Sequence, residues 1–157
     1  MKRIYQYKEK RKLEVGKVFD FRVIKSLQLP DNESYYVLLD PFGERHLLPA
    51  KYYNDYGLTV GEIISCHVDK VNCQGRIFLE PLHPQYAIGK IYEFTLLSIE
   101  TIQNKKGNFI STYIMIDPHN NKAYLPKNEN YALEELSEWK KYRVDKIKKA
   151  KVYLSPI

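Results

Sequence analysis

Rings able to stack on a flat base and cations able to meet a phosphate recur together in this 157-residue chain, most densely in its second half. Tyr113 and Met115 precede Lys122 and Tyr124 at strand-like spacing, with Lys105 and Lys106 upstream and Lys148, Lys149 and Lys151 downstream. The first half offers a sparser set, Tyr36, Arg45 and Arg76. Stacking a base on an aromatic ring contributes about 1–3 kcal/mol, and lysines close by neutralise phosphates, so this pairing of types suits single-strand binding. Formal charge is divided the same way. Residues 1–14 carry six Lys/Arg against two Asp/Glu, residues 15–88 seven against nine, and residues 89–157 twelve against eight. A polyanion is expected to prefer the basic N-terminal arm of residues 1–14 and the second half.

Other chemistry has less behind it. Cys66, His67, Cys73 and His83 are zinc-ligand types, but there is no Cys-x-x-Cys pair, and neighbours on a strand point to opposite sides. No glycine-rich phosphate loop or nucleophile elbow occurs, and the carboxylates are scattered rather than paired. Neither an enzyme, a cofactor nor a metal is expected. Fourteen tyrosines and 44% apolar residues indicate a folded protein with small β cores. No run approaches the roughly 18–20 apolar residues that cross a bilayer. A cytoplasmic location with free thiols is the expectation, and no membrane partner.

The elements that would position these side chains are strands. Val60 to Pro81 alternates apolar and polar residues on both sides of Asn72-Cys73-Gln74-Gly75, which predicts a β-hairpin. Ahead of it, the segment from Gly16 to Leu27 reads as a long strand, Tyr35 to Leu39 and Arg45 to Leu48 as two short ones, and Lys51 to Leu58 as an irregular or helical connection. Then the order restarts. Gly89-Lys90-Ile91-Tyr92-Glu93-Phe94 matches Gly16-Lys17-Val18-Phe19-Asp20-Phe21 at a spacing of 73. Asp117-Pro118 and Tyr124-Leu125-Pro126 match Asp40-Pro41 and Leu47-Leu48-Pro49 at 77, and Leu154-Ser155-Pro156 matches Leu79-Glu80-Pro81 at 75. Small drifts of this kind belong in loops, where a repeated fold tolerates them. Between the third and fourth strands of the second copy, Leu133, Leu136 and Trp139 recur at helical spacing, with Asn128 or Asn130 as caps. The order β-β-β-α-β-β predicts an all-β protein with one short helix, made of two tandem five-stranded OB-fold barrels over residues 15–82 and 87–157.

The motifs in this order resemble the RNA-binding domain named after ribosomal protein S-one, a subgroup of OB folds. They are Gly16-Lys17-Val18, Leu47-Leu48-Pro49, Val60-Gly61-Glu62 and Gly75-Arg76-Ile77-Phe78-Leu79, then Gly89-Lys90-Ile91, Tyr124-Leu125-Pro126 and Lys151-Val152-Tyr153-Leu154-Ser155. Phe21 and Phe94 stand where that family has its second glycine. The resemblance implies single-stranded RNA or DNA as partner, with RNA favoured.

In an OB fold the ligand crosses the second and third strands, between the loops that join strands one to two and four to five. If Val37, Leu39 and Leu48 point inward, alternation turns Tyr36, Leu38, Arg45 and Leu47 outward. The matching positions are Tyr113, Met115, Lys122 and Tyr124. With two tyrosines, a lysine and lysine-rich bounding loops, the second copy is expected to bind more strongly. A second expectation stays open: Leu38, Leu47 and Met115 equally fit a protein-binding patch on an OB scaffold, in a chain that is a piece of a larger protein.

Overall fold

The computed structural model describes residues 12–127 and 131–157. Most of the predicted basic arm, and the proposed caps Asn128 and Asn130, lie outside the described residues. The chain divides into two compact units, Met1–Leu82 and His83–Ile157. Among the described residues no helix is long and apolar enough to cross a membrane.

The first unit holds β1 (Val18–Gln28), β2 (Ser34–Leu39), β3 (Arg45–Pro49), a 3-10 turn (Asn54–Tyr56), β4 (Ile63–Val71) and β5 (Ile77–Pro81). They form one antiparallel sheet in the order β3-β2-β1-β4-β5. The expected hairpin is β4–β5, with its turn where Asn72 and Gly75 predict it. The second unit repeats the plan with β6 (Ile91–Gln103), β7 (Phe109–Ile116), β8 (Lys122–Pro126), α1 (Leu133–Leu136), β9 (Lys140–Lys148) and β10 (Lys151–Pro156). Here the edge strands meet: Tyr153 of β10 pairs in parallel with Tyr124 of β8, closing the sheet on itself. Both long first strands shift register at matching places, between Val23 and Lys25 and between Leu96 and Ser98. A bulge of this kind bends the strand and increases its twist, so the copies curl at the same point.

Four hairpin turns use one device. Asp40 Oδ1 accepts the backbone N–H of Phe42 (2.8 Å) and Glu44 (2.9 Å). Asn72, Asn104 and Asp117 bond in the same way to the residues two and four further on. The fourth position of these turns has positive φ, at Gly43, Gly75, Gly107 and Asn120, which is why a Gly or Asn stands there. The β9–β10 turn departs from this, with Lys149 (φ 51°) and Ala150 (φ 65°) both left-handed in a two-residue connection. Asn-Gly normally occupies such a turn, so this tight reversal is built from unfavourable residues.

Phe21 and Phe94, the aromatic residues that end the matched Gly-Lys motifs, are both fully buried. In the second unit Phe94 packs with Tyr113, Met115, Leu125, Val144 and Leu154, and with Leu136 from α1. Tyr86, which the expected bounds leave between the two barrels, belongs to this core, its ring 5.6 Å from that of Phe94 and its hydroxyl bonded to Asp117 Oδ2. Two more carboxylates are buried in the first unit. Asp40 Oδ2 lies 2.9 Å from His46 Nε2, and Glu80 Oε1 accepts from the Tyr53 hydroxyl at 3.0 Å. Burial and the carboxylate of Glu80 drive the Tyr53 phenol upward, so it stays a proton donor.

Candidate nucleic-acid interface

Residues directly opposite in an antiparallel ladder share a face, so register separates the core face from the outer one. On β7 and β8, Tyr113 pairs with Leu125 and Met115 with Ala123. Leu125 and Ala123 are completely buried, and Tyr113 and Met115 retain 3% and 0% of their exposure. The sequence expectation that Tyr113 and Met115 face the ligand is therefore corrected: both are core residues. Tyr113 also meets the edge of Tyr131, with centroids 5.9 Å apart. The first unit needs the same one-residue correction. Tyr36 pairs with Leu48 and Leu38 with His46, which places Tyr36, half-buried, and Leu38, fully buried, on the inner face. The proposed apolar patch on this face thereby loses Leu38 and keeps Leu47.

Alternation misleads on these two strands because burial there does not alternate. Ile114 and Val37, which register puts on the outer face, are themselves 3% and 5% exposed. With both sides of the strand excluded from water, period two carries no information about which face is the core.

The true outer face of the second unit carries Lys122 opposite Ile116, Tyr124 opposite Ile114, and Thr112 opposite Pro126. Closure brings in a residue that the sequence reading did not single out, Tyr153. Its ring lies 5.8 Å from that of Tyr124 at 37°. Lys151 Nζ lies 5.5 Å from the Tyr124 centroid and Lys146 Nζ 5.0 Å from that of Tyr153, within reach of cation–π attraction. Burial, then the neighbouring Tyr124, raise the phenol of Tyr153, so this ring stays neutral. Beside them is a cleft of about 230 Å³ bounded by Ile102, Asn104, Ile110 and Pro126. Asn104 also holds the turn that displays the exposed Lys105 and Lys106. Lys148 ends β9 and Lys149 lies in the tight turn that leads into Lys151. Of the predicted residues, Tyr124 and Lys151 line this cleft, with Lys105 and Lys106 in the turn that Asn104 holds.

The first unit carries a counterpart. Phe78 stands opposite Lys70 on the neighbouring strand as Tyr153 stands opposite Lys146. Lys70 Nζ is 5.0 Å and Arg76 Cζ 4.9 Å from the Phe78 centroid. The repeat Phe78-Leu79 against Tyr153-Leu154 was a sequence clue to this pair, since the leucines face the core and the rings must face out. Arg45 and Arg76 meet at another place. They line a cleft of about 760 Å³ together with Lys12, Phe42, Leu47 and Ile77. It opens between β3 and β5, and among the described residues no ladder joins those two strands.

Among the described residues no three His, Cys, Asp or Glu side chains gather closely enough to hold an ion. Cys66 is buried, Cys73 is exposed, and His83 Nδ1 accepts the backbone N–H of Gln85 and Tyr86.

No family model matches the chain, and a search of curated proteins returns no match.

Proposed function

We propose that this chain binds single-stranded nucleic acid, RNA in the first instance, without catalysis, through paired rings and cations on the outer faces of two OB-type folds. The strand order in each unit, with a helix after the third strand of the second, supports the OB reading. The observation that carries the function is the recurrence of one arrangement at equivalent positions: Tyr124 and Tyr153 with Lys146 and Lys151, and Phe78 with Lys70 and Arg76. Any base offers a flat face to such rings, and the cations meet any backbone, so affinity is expected with little base preference and steep salt dependence. The second unit, with two adjoining rings, is the stronger partner. A cytoplasmic setting, with Cys66 and Cys73 as thiols, accompanies this reading.

Titration of a fluorescent decauridylate with the intact chain at low salt tests it. Low-micromolar or tighter binding is expected, falling about tenfold for each of Tyr124→Ala and Tyr153→Ala. No binding at tens of micromolar, or an affinity indifferent to both substitutions, removes the proposal.

A second reading rests on the β6–β7 hairpin, where Phe109 is 74% exposed and Ile99, Ile102 and Ile110 are also in solvent. An apolar ribbon of this kind suits a protein partner. Binding that is lost on Phe109→Ser, with the oligonucleotide titration flat, would favour it.

A further inference from the structure

We infer that the open seam of the first unit is a site for a phosphate monoester carried on a small planar or apolar group, the class to which nucleoside monophosphates and the phosphorylated ends of strands belong. This goes beyond binding along the outer faces, with which it shares Arg76. The cleft of about 760 Å³ lies within the roughly 300–1,000 Å³ range of small-molecule sites. It exists because β3 and β5 do not pair where the corresponding β8 and β10 do, leaving the space that the Tyr124–Tyr153 contact closes in the second unit.

Its walls are of two kinds. Phe42, Leu47 and Ile77 form an apolar side, with Phe42 braced edge-on by Phe19 at 6.0 Å. Lys12, Arg45 and Arg76 supply positive charge. Of the two carboxylates in the lining, Asp40 is already committed, one oxygen to two backbone N–H groups and the other to His46. Glu44 is then the single carboxylate left against three cations. Arginine forks match phosphate geometry, and a terminal monoester carries close to two charges at neutral pH where an internal diester carries one. A planar group on the apolar side, with its phosphate toward the arginines, uses both walls.

Calorimetric titration of the full chain with adenosine 5′-monophosphate, adenosine and inorganic phosphate tests this. The monophosphate is expected to bind at least tenfold more tightly than adenosine, and more tightly than phosphate alone. Arg45→Ala and Arg76→Ala, at exposed positions where folding is checked by circular dichroism, each weaken it about tenfold. Glu44→Gln strengthens it two- to threefold. Equal binding of nucleotide and nucleoside, no binding up to millimolar concentration, or arginine variants that behave like the parent each overturn the proposal. Decauridylates with and without a 5′-phosphate separate the sources: a tenfold preference for the phosphorylated strand identifies a strand end, and no preference alongside nucleotide binding identifies the free nucleotide. Failure of the outer-face reading shows in the unphosphorylated strand with Tyr124→Ala and leaves the nucleotide titration untouched.

Discussion

In the second unit β8 and β10 pair through Tyr124 and Tyr153, and the closed seam presents two rings with lysines over them. In the first unit Leu47 and Phe78 occupy the corresponding places, β3 and β5 approach without pairing, and the seam opens into a cleft lined by Lys12, Arg45 and Arg76. The same five-strand plan thus yields two adjoining outer rings in one copy and a charged recess in the other. Net charge along the chain does not foretell this. Residues 15–88 are acidic by count, yet the seam gathers Arg45 and Arg76 with Lys12 from the basic arm, and Asp40 beside them is taken up as a turn cap. Where a charge is committed matters more than how many there are.

The comparison can be broken most forcefully at the inner tyrosines. Tyr113→Ala is expected to destabilise the second unit by about 3–5 kcal/mol, as large aromatic deletions in cores do, whereas half-buried Tyr36→Ala costs the first unit distinctly less. Urea unfolding followed by amide signals of each unit separately measures both. A loss below about 1 kcal/mol at Tyr113 would restore it to the ligand face.

The capping carboxylates come next. Asp117→Ala leaves the N–H groups of His119 and Asn121 and the Tyr86 hydroxyl without their acceptor, at an expected cost of about 1–3 kcal/mol. Asp40→Ala does the same to Phe42, Glu44 and His46. Burial pushes both carboxyls up, but the hydrogen bonds they accept outweigh it and hold them below the ordinary 3.8. A depressed folded-state value stabilises above pH 3.8 and loses that contribution as pH falls through the lowered value. Urea midpoints of the parent and of each Asp→Asn variant should therefore differ at pH 7 and converge towards pH 3. A gap that widens in acid would contradict the hydrogen-bond account.

The smallest expected effect lies in the one turn that departs from the shared device. Lys149→Asn with Ala150→Gly suits the left-handed pair and should stabilise the second unit by about 1 kcal/mol. Thermal unfolding would show it as a rise in midpoint of a few degrees. The same change made to Gln74-Gly75 in the first unit has no such strain to relieve, since Gly75 already holds the positive φ.

Much of the fold was legible from the chain alone. The doubled motifs locate the strands, and Asn72 and Gly75 locate the hairpin turn; of Leu133, Leu136 and Trp139, whose spacing predicts the helix, Leu136 packs into the second core, while Leu133 is exposed and Trp139 lies exposed beyond the end of α1. Of the residues that the sequence singles out, Tyr124 and Lys151 line the cleft of the second unit and Arg45 and Arg76 that of the first, while Tyr113 and Met115 are buried in the core. Residue types and their order are local properties, and turn chemistry and β propensity act locally, so the sequence by itself determined two copies of a five-strand plan. Which face of β7 is the core depends on Leu125 and Ala123 lying opposite it. Whether a seam closes depends on strands 29 residues apart in sequence meeting at Tyr124 and Tyr153. Both are outcomes of packing between distant segments, and only the tertiary structure decided them.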